Sequence, residues 1–564
     1  MKNNREIFYR VFFFLLPVIY FLLYGPYGFD DVDGGYTISS VYRFVNGQVP
    51  YKDFILVRPP LSVFLHSIPF LVFPSDYLLI IERFIIYLNF AFVAWLSMVI
   101  INRFFDLKKL TLNKYLLASI IFIFSVHNYP PMTIHTTDGI LLGIIGIYFL
   151  SVRNSTFSVC LGMFFLLGSA LTKQSFYPMP VAGLCYLWFT ERKKVFPGII
   201  SLILFACTIY FFASKYDLIQ PFIFWTKGST HLKDVIRAGV NQYVNVQVRD
   251  HKLLLIVIGG FLIIKFLFQW IKKIKISYGW LLPLYAAKTF IQIILFSYYC
   301  HGLFYETSNP YSYPQFFFIV TLIGIVWYFF NKRKLNADLI TLCFLLSLSW
   351  CSSISWGFRT PILFSAPLIF GVIWMNGELF NFQYRKFSYN FLLIGGLITF
   401  YVAYYYCPIR SACTPNRDSI RSEFVYDMGK IFPKLSYIKS DKETYDKYSE
   451  LKQLAGKYNN HFKTLPDMVL SNYLTESVSP IAIDWVMDKE INNHVPEITD
   501  QLNKSNCFVF VDKDKMERFA SDTSELSKHY RDAKSSLTTY VINHWDKIDD
   551  TQYFNVYWKP ANIN

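Results

Sequence analysis

A short acidic stretch near the start of the chain combines three carboxylates with two glycines: Asp30, Asp31, Asp33, Gly34 and Gly35. Carboxylates held close together repel each other, so one of them can acquire a raised pKa and act as a general base. The same set can instead hold a divalent cation. The glycines would let a substrate approach the backbone closely. The spacing alone leaves a simpler interpretation open, in which the stretch is a turn with an aspartate that caps a helix.

The elements that position this stretch are predicted to be membrane helices. Of the 564 residues, 54% are hydrophobic and 16% are charged, and apolar runs of roughly 18–25 residues recur along the chain. The net charge of +15 is concentrated in short loops, as expected for a multi-pass membrane protein. The chain shows no basic stripe or base-stacking module, so we expect no nucleic-acid partner. The composition therefore predicts an all-α polytopic membrane protein.

About 13 apolar runs are predicted to span the membrane, and they are residues 7–24, 77–102, 115–130, 134–150, 157–171, 175–190, 196–213, 252–272, 278–299, 313–330, 337–355, 361–376 and 389–406. Another apolar run, residues 61–73, is short for a span and contains Pro69, so we predict a re-entrant or interfacial helix there. With this run left uncrossed, the basic loops all lie on the side of the N-terminus. The positive-inside rule then predicts a cytoplasmic N-terminus and an extracytoplasmic C-terminus. We expect the bacterial plasma (inner) membrane as the location.

In this topology the first loop, residues 25–76, is long and extracytoplasmic. Four of its apolar residues share one face of a predicted helix: Ile38, Val41, Tyr42 and Val45. We expect this helix to lie in the membrane interface, with Gly47 as its C-terminal stop.

The composition divides the chain into two domains. Residues 1–406 form the transmembrane domain, and the polar residues 407–564 are predicted to form a small extracytoplasmic α/β domain. The charged stretch 442–457 is predicted to be helical. Three apolar patches of this domain are predicted to be short strands: 468–474, 481–486 and 507–512.

The nine cysteines show no metal-ligand spacing. Five of them lie in predicted spans, where a free thiol is usually a small hydrophobic side chain. Cys407 and Cys413 would be able to form a disulfide in an oxidising compartment, and the sequence leaves that pairing open.

The order of residues in the first loop resembles the first extracytoplasmic loop of GT-C superfamily glycosyltransferases, close to the branch of protein mannosyltransferases and lipid A aminoarabinose transferases. The residues that match are Asp33, Tyr36, Gly47, Pro50, Tyr51, Lys52, Asp53, Phe54, Pro59 and Pro60. The Glu that follows the leading Asp of the family is replaced by Gly34, so either Asp31 supplies the second carboxylate or the site works with one. Two later segments also resemble the family, with Asp138 opening a span just after His135 and with Lys173 at the outer end of a span.

The resemblance implies an enzyme that takes a hexosyl or pentosyl group from a polyprenyl-phosphate carrier. The sugar would pass, with inversion at the anomeric carbon, to an acceptor at the outer membrane face. That acceptor is a glycolipid, a surface polysaccharide or a protein. Asp33 is the implied general base. Lys173, with Arg58 and Arg359 as further candidates, would bind the donor phosphate.

Further residues are candidates for substrate contact or for support of the site, and they are Asp31, Tyr36, Asp53, His135, Asp138 and Glu306. His135 would either orient Asp138 or contact the sugar. No cofactor is required by the motifs, but a divalent cation is possible, with Asp33 and Asp138 as its ligands.

Two other functions compete with this interpretation. A lipid-linked polysaccharide polymerase or ligase also has many spans, but it uses basic residues in a late large loop rather than carboxylates in an early one. A lipid or sugar transporter would place charges within its spans or break helices in paired halves. The two halves of this chain do not resemble each other in sequence.

Overall fold

A computed structural model of the chain describes residues 2–249, 336–354, 421–515 and 535–559, together with isolated residues between 252 and 374. Within these ranges the gaps are 30, 106, 108–111, 129–131, 154, 228–231, 247, 489, 492 and 493.

The described part of the transmembrane domain is helical. Its helices are α1 (Lys2–Tyr24), α2 (Asp33–Val45), α3 (Leu61–Val72), α4 (Leu78–Phe104), α5 (Lys114–Asn128), α6 (His135–Ser151), α7 (Thr156–Ala170), α8 (Pro178–Thr190), α9 (Val195–Lys215), α10 (Ile219–Thr226), α11 (Leu232–Val240) and α12 (Ala337–Ile354). Four helical stretches of the described residues are long and apolar enough to cross a membrane: Arg5–Tyr24, Ser75–Phe104, Arg192–Lys215 and Ala337–Ile354.

Helices α1, α4 to α9 and α12 coincide with predicted spans. Helix α8 starts later than expected because a 3₁₀ turn, Gln174–Phe176, comes first and Pro178 then opens the helix. The remaining predicted spans lie wholly or partly outside the described residues, as do Cys407 and Cys413 and the boundary at 406/407. The number of spans and the orientation of the termini therefore stay predictions.

The pair α6 and α7 is packed through small residues. A Cβ atom at Gly146 would lie only 2.9 Å from the carbonyl oxygen of Gly162, so glycine lets the two backbones approach closely. The side chains around this contact are buried aliphatic residues such as Leu150 and Leu166. This packing fixes the N-terminal end of α6, which carries His135 and Asp138.

The first loop contains α2 and α3. Helix α2 begins at Asp33 and thus includes part of the acidic stretch. It ends as predicted, because Gly47 takes a left-handed conformation (φ +87°) that favours glycine. The polar face of α2, with Ser39 and Arg43, is buried, because the C-terminal domain packs against it. Helix α3 coincides with the run predicted to be re-entrant or interfacial.

The C-terminal domain is a small α/β unit, as predicted. Its larger sheet has the strand order β3-β4-β6-β5, with β3 (Phe462–Leu465) parallel to β4 (Phe508–Asp512) and the other pairs antiparallel. Strands β6 (Phe554–Trp558) and β5 (Asp546–Asp550) complete it. Two short strands, β1 (Tyr426–Asp427) and β2 (Lys439–Ser440), pair separately. The helices are α13 (Lys442–Lys457), α14 (Ser471–Leu474), α15 (Val495–Lys504) and α16 (Ser536–His544).

The prediction of a helix over 442–457 is confirmed, whereas two of the three predicted strands are wrong. Residues 468–474 form a turn and helix α14, and residues 481–486 are irregular. Backbone groups of the second segment are bonded outside any sheet, because the carbonyl of Ala482 accepts from the Ile55 N–H of the first loop. The sequence did not predict strand β5, because it is a charged edge strand with little apolar surface.

The two domains share apolar cores. One core joins Phe29, Ile38 and Leu78 to residues of the C-terminal domain that include Leu454 and Phe510. Another joins residues of the first loop to Val469, Trp485 and Met487. The C-terminal domain therefore covers the first loop instead of standing apart from it.

Candidate active site

Arg58 lies in the loop between α2 and α3, just before the two prolines that lead into α3. Its guanidinium carbon is 4.8 Å from the centre of the Tyr36 ring, a cation–π distance. Its Nη2 atom donates to Glu490 at 2.9 Å, and its side chain is 17% exposed. The Tyr51 hydroxyl donates to the Arg58 carbonyl at 2.7 Å. The motif residues Tyr36 and Tyr51 thus fix this arginine from two sides.

Lys173 is the second cation of the site, and it is buried in the turn after α7. Its Nζ atom donates to the Thr136 hydroxyl at 3.0 Å. Burial, and secondarily the positive charge of Arg58, lower the pKa of Lys173 to about 7. The carboxylates of Glu490 and Asp33 raise the pKa of Lys173, but by less than burial and Arg58 together lower it. A further negative charge in this place would restore the ammonium form.

Asp33 is the first residue of α2 and is partly exposed. The positive end of the helix dipole favours a carboxylate there. The charges of Asp33 and Arg58 both act on the pKa of Lys173, in opposite directions. The roles of Asp33 as base and of Arg58 and Lys173 as phosphate ligands stay predictions.

Tyr36 and His135 form the wall beside Arg58. Their ring centres are 5.8 Å apart, and the Thr37 hydroxyl lies 3.3 Å from His135 Nδ1. Burial raises the pKa of Tyr36 to about 12, so this phenol stays neutral. His135 Nε2 is buried and has no hydrogen-bond partner among the described residues. A buried polar atom without a partner is costly, and a bound ligand would relieve that cost.

Asp138 has a different partner from the one expected. His66 of α3 lies between two carboxylates, with Nδ1 at 2.9 Å from Glu82 Oε2 and Nε2 at 3.1 Å from Asp138 Oδ1. Ionised carboxylates only accept hydrogen bonds, so the arrangement suits a charged imidazolium. Of the two roles predicted for His135, the orientation of Asp138 is therefore corrected, because His66 bonds to that carboxylate. Contact of His135 with the sugar stays a prediction. A signal for this trio was present in the sequence, since Glu82 is an ionisable residue inside a predicted span.

The sequence makes a divalent cation possible at Asp33 and Asp138. Among the residues that the structure describes, no group of three or more His, Cys, Asp or Glu side chains is placed to hold a metal ion. Asp138 is engaged by His66 instead. A divalent cation at Asp33 and Asp138 stays a prediction.

Two further carboxylates of the first loop are used in other ways. The Tyr448 hydroxyl of the C-terminal domain donates to Asp31, so Asp31 joins the two domains. Asp53 is exposed and accepts from the Val49 N–H at 2.7 Å, which closes the turn between these residues. Asp30, Glu306 and Arg359 lie outside the described residues, and their roles stay predictions.

The C-terminal domain adds residues that the sequence did not reveal. The Trp485 ring centre lies 5.8 Å from that of Tyr36 and 5.9 Å from the Arg58 guanidinium. The indole nitrogen is buried and lacks a hydrogen-bond partner in the described part of the chain. Trp485 belongs to the segment 481–486, which is predicted to be a strand. The sequence pattern of that segment does not predict contact with the first loop.

Asp484, the neighbour of Trp485, is bound by Arg43 of α2 through two nitrogens at 2.7 and 2.8 Å. Ser39 also donates to it, and Lys463 lies 3.2 Å away. Burial alone would raise the pKa of Asp484, but the charges of Arg43 and Lys463 hold it well below its usual range.

Comparison with known proteins found no matching family model and no matching curated protein sequence. Solved structures of two proteins are similar. The oligosaccharyltransferase of Archaeoglobus fulgidus, in complex with Zn and sulfate, is 11% identical with a TM-score of 0.44, and the match covers 86% of this chain and 64% of that one. ArnT from Cupriavidus metallidurans, bound to undecaprenyl phosphate, is 10% identical with a TM-score of 0.37, and the match covers 98% of each chain.

Both proteins are GT-C glycosyltransferases. The resemblance predicted from the first loop is to the same superfamily. The chain spans 64% of the length of the oligosaccharyltransferase. Because both TM-scores lie below 0.5, the matches stand as similarity, and the chemistry is derived from the residues of this chain.

Proposed function

We propose that the chain is an inverting membrane glycosyltransferase that moves a sugar from a polyprenyl-phosphate donor to an acceptor at the outer face of the membrane. The observation that carries this proposal is a pair of cations, the buried Lys173 and the half-buried Arg58, with the carboxylate Asp33 close enough to act on the pKa of Lys173. Paired buried cations favour an anionic ligand, and a carboxylate beside them can accept a proton.

The phosphate of the donor would lie between Arg58 and Lys173. During transfer the bond between the anomeric carbon and the phosphate oxygen breaks, and its electron pair stays with the lipid phosphate. The two cations stabilise that developing charge, and they do so more strongly in a buried site than in water. Arg58 is suited to bidentate contact with phosphate oxygens, and Lys173 acts as a point charge.

The acceptor hydroxyl attacks the anomeric carbon from the face opposite the phosphate. Its oxygen forms the new glycosidic bond, and its proton passes to Asp33 as the general base. A single displacement inverts the configuration. The aromatic side chains of Tyr36 and Trp485 would form the wall along which the sugar is placed. The acceptor is a glycolipid, a surface polysaccharide or a protein, and the transferred group is a hexose or a pentose.

The base can be tested in membranes that contain the full chain and a radiolabelled polyprenyl-phosphate sugar. We expect Asp33→Asn to reduce label transfer by about 100-fold or more, the usual effect of removing a general base. Asp76→Asn is the matched control, because this aspartate lies at the far end of the same loop, is exposed and has no part in the proposed site. Transfer by Asp33→Asn at the rate of the parent chain would show that the base is assigned wrongly.

A further inference from the structure

The segment 484–490 of the C-terminal domain reaches the cations of the first loop. Three of its side chains contact the loop: Asp484, Trp485 and Glu490. Trp485 and Glu490 both lie at Arg58, which is assigned above to the donor phosphate, but only one of these two contacts joins charged groups. That contact is the ion pair between Glu490 and Arg58.

The start of the segment is anchored firmly. The carboxylate of Asp484 is 6% exposed and is held by Arg43, Ser39 and Lys463. Each ion pair in this cluster is buried, and breaking a buried pair leaves an uncompensated charge. The anchor therefore holds residue 484 on α2 whether or not a ligand is bound.

The side chain of Glu490 is held by less. Glu490 Oε2 accepts from Arg58 Nη2 at 2.9 Å, and the two side chains are 11% and 17% exposed. Its carboxylate accepts from an N–H group at the edge of the guanidinium, and phosphate oxygens bind to the same kind of donor. Two anions on one guanidinium repel each other, so the pair with Glu490 and the pair with a phosphate compete.

We propose that Glu490 is an exchangeable counter-ion, which neutralises Arg58 in the empty site and is displaced when the phosphate of the lipid donor binds. The inference rests on the proposed function, because it takes Arg58 as a phosphate ligand. It assigns a role to the C-terminal domain: Asp484 fixes the segment, and Glu490 sets the affinity of the site for its anion. Without such a counter-ion, the positive charges of Arg58 and Lys173 would be less compensated before the phosphate binds.

The proposal is tested with the full chain in lipid nanodiscs, by titration with undecaprenyl phosphate. We expect Glu490→Gln to lower the Kd by about 3- to 10-fold, the factor that corresponds to removing a partly exposed competing ion pair. Glu497→Gln is the matched control, because its side chain is 46% exposed in the same domain, and it should leave the Kd unchanged. In an Arg58→Ala background, Glu490→Gln should have no effect on the Kd.

Several outcomes would overturn the proposal. One is a folded Glu490→Gln variant that binds undecaprenyl phosphate with the Kd of the parent or more weakly. Another is an equal tightening in the Arg58→Ala background, which would mean that Glu490 acts through the general field of the site. If Glu490→Gln does not fold, Glu490→Asp keeps the charge but withdraws it by one methylene, and it should lower the Kd by a smaller factor. An unchanged or raised Kd in that variant also overturns the proposal.

The proposed function fails separately. If the parent chain binds undecaprenyl phosphate no better than Lys173→Ala does, the phosphate site is assigned wrongly, and both proposals fall. If Lys173→Ala weakens binding but Glu490→Gln changes nothing, only the counter-ion is wrong.

Discussion

Binding of a lipid phosphate should depend on pH in a way set by Lys173. In the empty site, burial and the charge of Arg58 lower the pKa of Lys173 to about 7. A phosphate beside the amine favours the ammonium form and raises that pKa, so binding takes up a proton. The sign follows directly: affinity is highest where Lys173 is already protonated, below about pH 7, and it falls as the pH rises above that value.

The magnitude follows from the fraction of protonated Lys173. With a pKa of about 7, about half of the empty sites carry the charge at pH 7, and about 3% carry it at pH 8.5. The Kd for undecaprenyl phosphate should therefore rise by roughly 15-fold between these pH values, provided that the pKa in the complex lies well above them. The phosphate itself loses its second proton near pH 6, so its charge is almost constant over this window.

The assay is a titration of the full chain in nanodiscs with undecaprenyl phosphate at several pH values from about 7 to 9. Lys173→Met is the matched variant, because it keeps the length of the side chain and removes the amine. It should bind more weakly at pH 7 and lose the pH dependence. A parent chain whose Kd stays level across this window, or a Lys173→Met variant that keeps the slope, would refute the reasoning.

Two further predictions concern stability. His66→Gln should lower the free energy of unfolding by about 3 kcal/mol, because it leaves two buried carboxylates without their shared partner. Thermal unfolding in detergent measures this effect, with the exposed-site variant His544→Gln as control. Equal melting temperatures of the two variants would contradict the prediction. Asp484→Asn should lower the free energy of unfolding by a similar amount, because Arg43 is left buried with a neutral partner. Proteolysis should cut the C-terminal domain of this variant faster than that of the exposed-site variant Asp546→Asn. Equal cleavage of the two variants would mean that the contact at Asp484 does not hold the domain in place.

The parts of this fold that follow from local sequence were predictable. Apolar runs long enough to cross a bilayer have few alternatives to a helix, because unpaired backbone groups are costly in lipid. For that reason α4 and α9 lie close to their predicted bounds. The two proposed phosphate ligands could also be found from local order, since Arg58 follows a recognisable loop motif and Lys173 follows an apolar run.

The rest depends on contacts between distant parts of the chain. The pair of Arg43 and Asp484 joins residues 441 positions apart, and each of them alone looks like an ordinary surface charge. His66 was missed for the same reason, because its two partners belong to helices that meet only in the folded bundle. The wrong prediction of a strand over 481–486 has the same origin. The alternating apolar residues of this segment pack against the first loop and not within a sheet.

The charge balance of the proposed reaction explains why a cation pair would come with a counter-ion. The donor phosphate is a diester with one negative charge, whereas the lipid phosphate that leaves is a monoester with up to two. Arg58 and Lys173 therefore interact more strongly with the leaving group than with the bound donor, which favours the transition state. The same preference slows release of the product. A carboxylate poised to return to Arg58 opposes that retention without weakening the transition state, provided that it stays displaced during transfer. Glu490 has the position of such a carboxylate, because it bonds to Arg58 and lies on a segment that is anchored at Asp484.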